Sequence, residues 1–109
     1  MQHEKLSSGK WFSLSLAEQL GNIGSEVGRA AKWQTRDRDI FWSSVVRAME
    51  LFDMTLMDTR WHGRLIEIGR AREVFADAVL GGKEHKSSLY DLERYFSPFA
   101  FMTRLKSGA

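Results

Sequence analysis

At 109 residues, with 43% hydrophobic and 28% charged side chains, the chain has the size and composition of one soluble globular domain. It has no cysteine, which excludes disulfides, thiolate metal sites and a cysteine nucleophile, and its net charge of +2 leaves affinity for nucleic acid to local clustering of cations. No apolar run approaches the ~20 residues of a spanning helix, and the opening stretch MQHEKLSSGKW carries no secretory apolar segment, so no membrane partner and a cytoplasmic location are expected.

In chain order, residues 1–12 read as a flexible polar tail that ends in Trp11 and Phe12, two aromatics placed to pack down ahead of the first helix. Ser15 and Glu18 form an S-x-x-E capping box, which predicts a helix from Ser15 to Trp33. Leu16, Leu20, Ile23, Val27 and Ala30 share one of its faces. Beside them runs a stripe of small residues, Ala17, Gly21, Gly24, Gly28 and Ala31. A glycine inside a helix costs roughly 1 kcal/mol against alanine. Three of them predict a compensating close approach, a packing seam either inside one bundle or between subunits. The same small-xxx-small spacing joins helices in lipid, but Glu18, Glu26 and Arg29 on this helix exclude a membrane span.

A short charged turn at residues 34–39 makes the next helix an antiparallel neighbour. That helix is expected from Asp37 to Met57 or Arg60, with a core face of Trp42, Val45, Met49, Phe52 and Leu56. Further apolar residues widen this face beyond what one side can bury, which predicts self-association. The pattern breaks from Asp58 to Gly63, and a third helix follows to Leu80, with Leu65, Ile68, Phe75 and Val79 on one side and Arg72 in their midst. Gly81-Gly82 is its stop. Ser88 opens a fourth helix, with Leu89, Leu92, Phe96 and Phe99 as its apolar face and a kink or split expected near Pro98. The fold class is therefore all-α: an antiparallel up-down four-helix bundle with short turns, spanning residues 13–106.

Chemistry is sparse. Neither His62 nor His85 has a glutamate three residues before it, as a dimetal bundle requires, so no metal and no cofactor is expected. There is no G-x-S-x-G elbow and no glycine-rich phosphate loop after a strand, and the expectation is a non-enzyme. Arg72, on an apolar face, suits a structural pair with a carboxylate such as Glu26 or Glu50, or else a polar interior site. The remaining arginines and lysines are more telling. Arg29, Lys32, Arg36 and Arg38 gather at the first turn; Arg60 and Arg64 flank Trp61 at the second; Arg70 follows along the third helix. Cations interleaved with an aromatic suit RNA or single-stranded DNA. The plainer alternative is a solvated charged surface, since Asp37, Asp39, Asp58 and Glu67 are interspersed.

The run Leu16-Ala17-Glu18-Gln19-Leu20-Gly21-Asn22-Ile23-Gly24-Ser25-Glu26-Val27-Gly28-Arg29-Ala30 resembles the small-residue-rich helix of a family of small bacterial four-helix bundles. That family includes the rRNA intervening-sequence proteins and the accessory variability determinant of diversity-generating retroelements. Arg47-Ala48-Met49-Glu50-Leu51-Phe52 is similar to the helix that follows in the family. The two segments span about a third of the chain, and here the stripe-bearing helix comes first, where the family has one before it. The resemblance implies no catalysis, a homo-oligomer in the form of a ring-shaped pentamer, and a basic surface that serves a reverse transcriptase and its template RNA. Two other readings compete with it. One is a protein-binding adaptor with Trp11, Trp33 and Trp61 as interface anchors. The other is a small helical hydrolase or nuclease without a known motif.

Overall fold

Three helices of this chain start on a side chain that satisfies free backbone groups at that end. The computed structural model describes residues 8–82 and 88–96. They form α1 (Ser8–Trp11), α2 (Leu16–Trp33), α3 (Arg38–Met57), a 3-10 segment (Thr59–Arg64), α4 (Leu65–Val79) and α5 (residues 89–96). Among the described residues every regular element is helical and there is no strand.

At the start of α2 the capping box is closed both ways. The Glu18 N–H donates to Ser15 Oγ at 3.1 Å, and the Ser15 N–H donates to Glu18 Oε1 at 2.8 Å. The Asp37 carboxylate accepts the N–H groups of Asp39 and Ile40 at 3.0 and 3.1 Å and so caps α3. α4 stops where Gly81 and Gly82 take φ of +113° and +74°, which lets the Gly82 N–H turn back to the Asp77 carbonyl at 2.8 Å. Ser88 and Asp91 cap α5 reciprocally at 3.1 and 3.2 Å, and hydrogen bonding from Ser88, its backbone N–H foremost, holds the Asp91 carboxyl below the usual carboxylate range.

α2 and α3 form the main helix pair and run antiparallel, since Gln19 near the start of α2 bonds to Asp58 just past the end of α3. α4 packs along α3 and is tied to it by an ion pair, Arg72 Nε to Asp53 Oδ1 at 2.8 Å. The partner of Arg72 is thus Asp53, on the adjacent helix, and not Glu26 or Glu50. Phe52 is the hub of the core, with its ring centroid 5.8 Å from that of Phe75 on α4 and 6.0 Å from that of Phe96 on α5. Ile23, Val27 and Ala30 of α2, Leu51 of α3 and Trp11 of α1 are buried around it. At about 25 cal/mol per Å² of apolar surface, this burial is the main term holding the helices together.

Two local expectations meet a different arrangement. The buried stripe of α3 is Phe41, Ser44, Val45, Ala48, Leu51, Phe52 and Thr55, while Trp42 is 42% exposed. Reading the face from the largest apolar side chains turned it too far. Small polar residues belong to it because the hydroxyls of Ser44 and Thr55 donate to the carbonyls of Ile40 and Leu51, each at 2.9 Å, and are buried already satisfied. Within the expected tail, Ser8–Trp11 form a helical turn and Trp11 is fully buried. The kink near Pro98 lies outside the described residues.

The small residues of α2 face α5. A methyl group at Gly24 would stand 2.6 Å from Phe96 Cβ, and one at Gly28 2.9 Å from the Glu93 carboxylate. Gly21 and Ala31, on the same stripe, are also buried.

Candidate nucleic-acid interface

The α2–α3 pair carries an arginine and a tryptophan at each end, and the two ends use them differently. At the first end, where α2 starts and α3 finishes, the groups are bound to one another. Gln19 is fully buried, and its Nε2 donates to the Trp11 carbonyl and to Asp58 Oδ2, both at 3.0 Å. Its Oε1 accepts from the Trp61 indole at 2.8 Å. The Trp11 indole donates to Thr55 Oγ1 at 3.2 Å. Asp58, 4% exposed, takes two bonds from the Arg60 guanidinium, at 3.0 and 2.7 Å, and one from the Arg60 N–H at 3.1 Å. The guanidinium also donates to the Leu14 carbonyl at 2.6 Å and lies 4.4 Å from the centroid of the Trp61 ring. Hydrogen bonds from Arg60, helped by Gln19 and opposed by burial, bring the Asp58 carboxyl down to about 2; Asp58 in turn raises the Arg60 guanidinium. Every polar group in this cluster has a partner, as burial demands. Arg60 therefore has most of its donors committed to the fold.

At the other end α2 and α3 line an open groove of about 940 Å³. Its cations are Arg29 and Lys32 from α2 and Arg47 from α3, its aromatic is Trp33, and its carboxylates are Asp39 and Glu93. Among the described residues neither Arg29 nor Arg47 has an ion-pair partner within 4.0 Å. The Lys32 ammonium stands 5.2 Å from the centroid of the Trp33 ring. Ser25 and Ser43 add hydroxyls to the walls.

Of the basic residues expected at an interface, Arg29 and Lys32 thus share the groove. Arg36 is exposed on the adjoining turn. Arg38 lies over the rings of Phe41 and Trp42, at 5.0 and 5.6 Å, and donates to the Gln34 carbonyl at 3.2 Å. Arg64 is exposed and 3.9 Å from the exposed Glu67, a pairing that contributes little in water. Arg70 is exposed on α4. The lining residue that the pattern of cations at the turns did not reveal is Arg47. A helical spacing would have found it, since Ile40, Ser43 and Arg47 recur at three and four residues and put Arg47 on the side of the groove.

Among the described residues no three histidine or acidic side chains come together as metal ligands, and no helix is long and apolar enough to cross a membrane. No protein-family model, curated protein or solved structure matches this chain.

Proposed function

We propose that this protein is a non-catalytic helical module that binds nucleic acid through the groove of Arg29, Lys32 and Arg47 and assists a nucleic-acid enzyme. The observation that carries the reading is the pairing state of the cations. Arg60 is held by a buried carboxylate, whereas Arg29 and Arg47 face an open groove without an ion pair among the described residues. Cations kept free and gathered beside an aromatic side chain suit phosphates and bases. The resemblance of α2 to the small bacterial bundles makes a retroelement reverse transcriptase the enzyme assisted and RNA its natural ligand. In this reading α2 to α5 form an up-down four-helix bundle, and the chain works as a homo-oligomer, a pentamer by the same resemblance. Support for association is the exposure of Trp42, Val46, Met57 and Ile66.

The test is binding of a labelled single-stranded RNA at low and moderate salt. If three phosphates are neutralised, affinity falls about 20-fold between roughly 50 and 200 mM salt, from the ~0.7 counterions released per phosphate. Arg29→Glu/Lys32→Glu should abolish most binding and flatten that dependence. The exposed apolar residues also favour a second reading, a protein-binding adaptor. Its anchors would be Trp42 and Trp33, since Trp11 is buried in the core. A wild type that binds no RNA at low salt would hand the case to that reading.

A further inference from the structure

We infer that the groove selects single strands over duplexes, with Trp33 as the stacking platform for an unpaired base; this deepens the nucleic-acid reading and rests on it. Three features point the same way. The first is the setting of Trp33. It packs partly against the core and is half-buried, yet Lys32 lies over its ring 5.2 Å from the centroid. That face of the indole is therefore turned to a flexible, solvated cation and not to packed protein. A base can take this place while the ammonium moves to a phosphate, which is how strand-binding proteins combine stacking with charge.

The second is the mixture of charge. Three cations, Arg29, Lys32 and Arg47, share the groove with two carboxylates, Asp39 and Glu93. A duplex presents one phosphate charge per ≈ 1.7 Å of its axis, and carboxylates set among the cations repel that density. To an unpaired strand the same carboxylates are acceptors for the exocyclic amines of adenine, cytosine and guanine with both hydrogens free, whereas a duplex spends one hydrogen of each amine on pairing and offers the other only inside a groove, which a concave surface does not enter. The third is shape. A duplex is read by an element that projects into its groove, whereas these cations line a concavity of about 940 Å³, room for a few nucleotides of strand.

The experiment compares the full chain, wild type and variants, against a fluorescent 20-nucleotide single strand, the same sequence as a duplex, and a mononucleotide. The strand should bind at least ~10-fold more tightly than the duplex, and the mononucleotide more weakly than either because it offers few phosphates. Trp33→Leu keeps apolar bulk against the core and removes the π-face. It should weaken the strand about 5- to 100-fold, leave the duplex unchanged, and leave the thermal melting curve close to wild type. Trp33→Phe should restore most of the strand affinity. Equal affinity for strand and duplex, with both lost in Arg29→Glu/Lys32→Glu, would overturn the inference and leave nucleic-acid binding standing. Strand affinity unmoved by Trp33→Leu would overturn it as well. Failure of the wild type to bind strand or duplex would take down the proposed function itself.

Discussion

The two ends of the α2–α3 pair are built from the same residue types and put them to opposite ends. Around Asp58 an arginine and two tryptophans are drawn into a closed set of hydrogen bonds that ties α1, α2, α3 and the 3-10 segment together. Around Trp33 two arginines and a lysine line an open groove, and Arg29 and Arg47 have no ion pair among the described residues. Both ends combine arginine, tryptophan and carboxylate; what differs is that one carboxylate, Asp58, is buried. Asp58 sits where the chain turns out of α3, close enough to its own successor Arg60 to pin it. Asp39 and Glu93 lie on the groove and form no ion pair with its arginines. A cation near an acid in sequence is therefore not neutralised unless the backbone brings the two side chains together.

Acid separates the two ends first. The Asp58 carboxyl titrates at about 2 in the folded chain against 3.8 ordinarily, so the folded state holds fewer protons than the unfolded one between these values. The stabilisation is complete above the ordinary carboxylate range and is lost as the pH falls toward 2. On the order of 2 kcal/mol is at stake, at 1.36 kcal/mol per pH unit of displacement. Denaturant melts at pH 6 and pH 3 should show about half of this loss in the wild type and a clearly smaller one in Asp58→Asn, which is already less stable at pH 6. Arg60→Gln should resemble Asp58→Asn in stability while leaving RNA affinity in place. An equal acid loss in wild type and Asp58→Asn would mean that the cluster does not hold its end of the molecule.

A smaller effect lies between the ends, where α5 crosses the glycines of α2. An alanine at Gly24 would press on Phe96 Cβ, an atom close to the backbone of α5, and the helix must shift to accept it. An alanine at Gly28 would meet the end of the Glu93 side chain, which can swing aside. Both changes gain nearly 1 kcal/mol of helix propensity, but only the first carries an overpacking cost of about 1–3 kcal/mol. Gly24→Ala should therefore lower the melting temperature and Gly28→Ala should leave it level or raise it. Effects of one sign at both positions would mean that α5 does not approach α2 as closely as 2.6 Å implies.

How far the sequence reveals this fold depends on whether the signal is local. The capping box at Ser15 and Glu18, the cap at Asp37 and the stop at Gly81-Gly82 lie within a few residues of the bonds they make, and each is visible in the chain. The face of α3 was harder, because Ser44 and Thr55 satisfy their own hydroxyls and then count as core. The Arg72–Asp53 pair and the Gln19–Asp58 bond join residues on different elements, and no spacing along the chain announces them. The same holds for the groove. Arg29 and Lys32 are neighbours on a helix, but Arg47 joins them only once α3 folds back along α2.

The smallest expected change in stability belongs to the groove, and it is the sharpest test of the comparison. Surface substitutions away from buried polar groups usually move stability by less than about 0.5 kcal/mol. Arg29 and Lys32 are exposed, and among the described residues neither has a salt bridge to lose. Arg29→Glu/Lys32→Glu should melt within about 2–4 °C of the wild type, since 1 kcal/mol moves a domain of this size by ≈ 4–8 °C. Lys32 also gives up its place over Trp33, a contact that at an exposed site is worth ≈ 0.5–1 kcal/mol, which adds about 2–8 °C to that window. RNA affinity should meanwhile collapse, the reverse of what Arg60→Gln does. Melting and binding measured together on the two variants make a crossed pair. If the groove variant lost as much stability as Arg60→Gln, its cations would be part of the scaffold like Arg60, and the open end of the helix pair would be no more available to a ligand than the closed one.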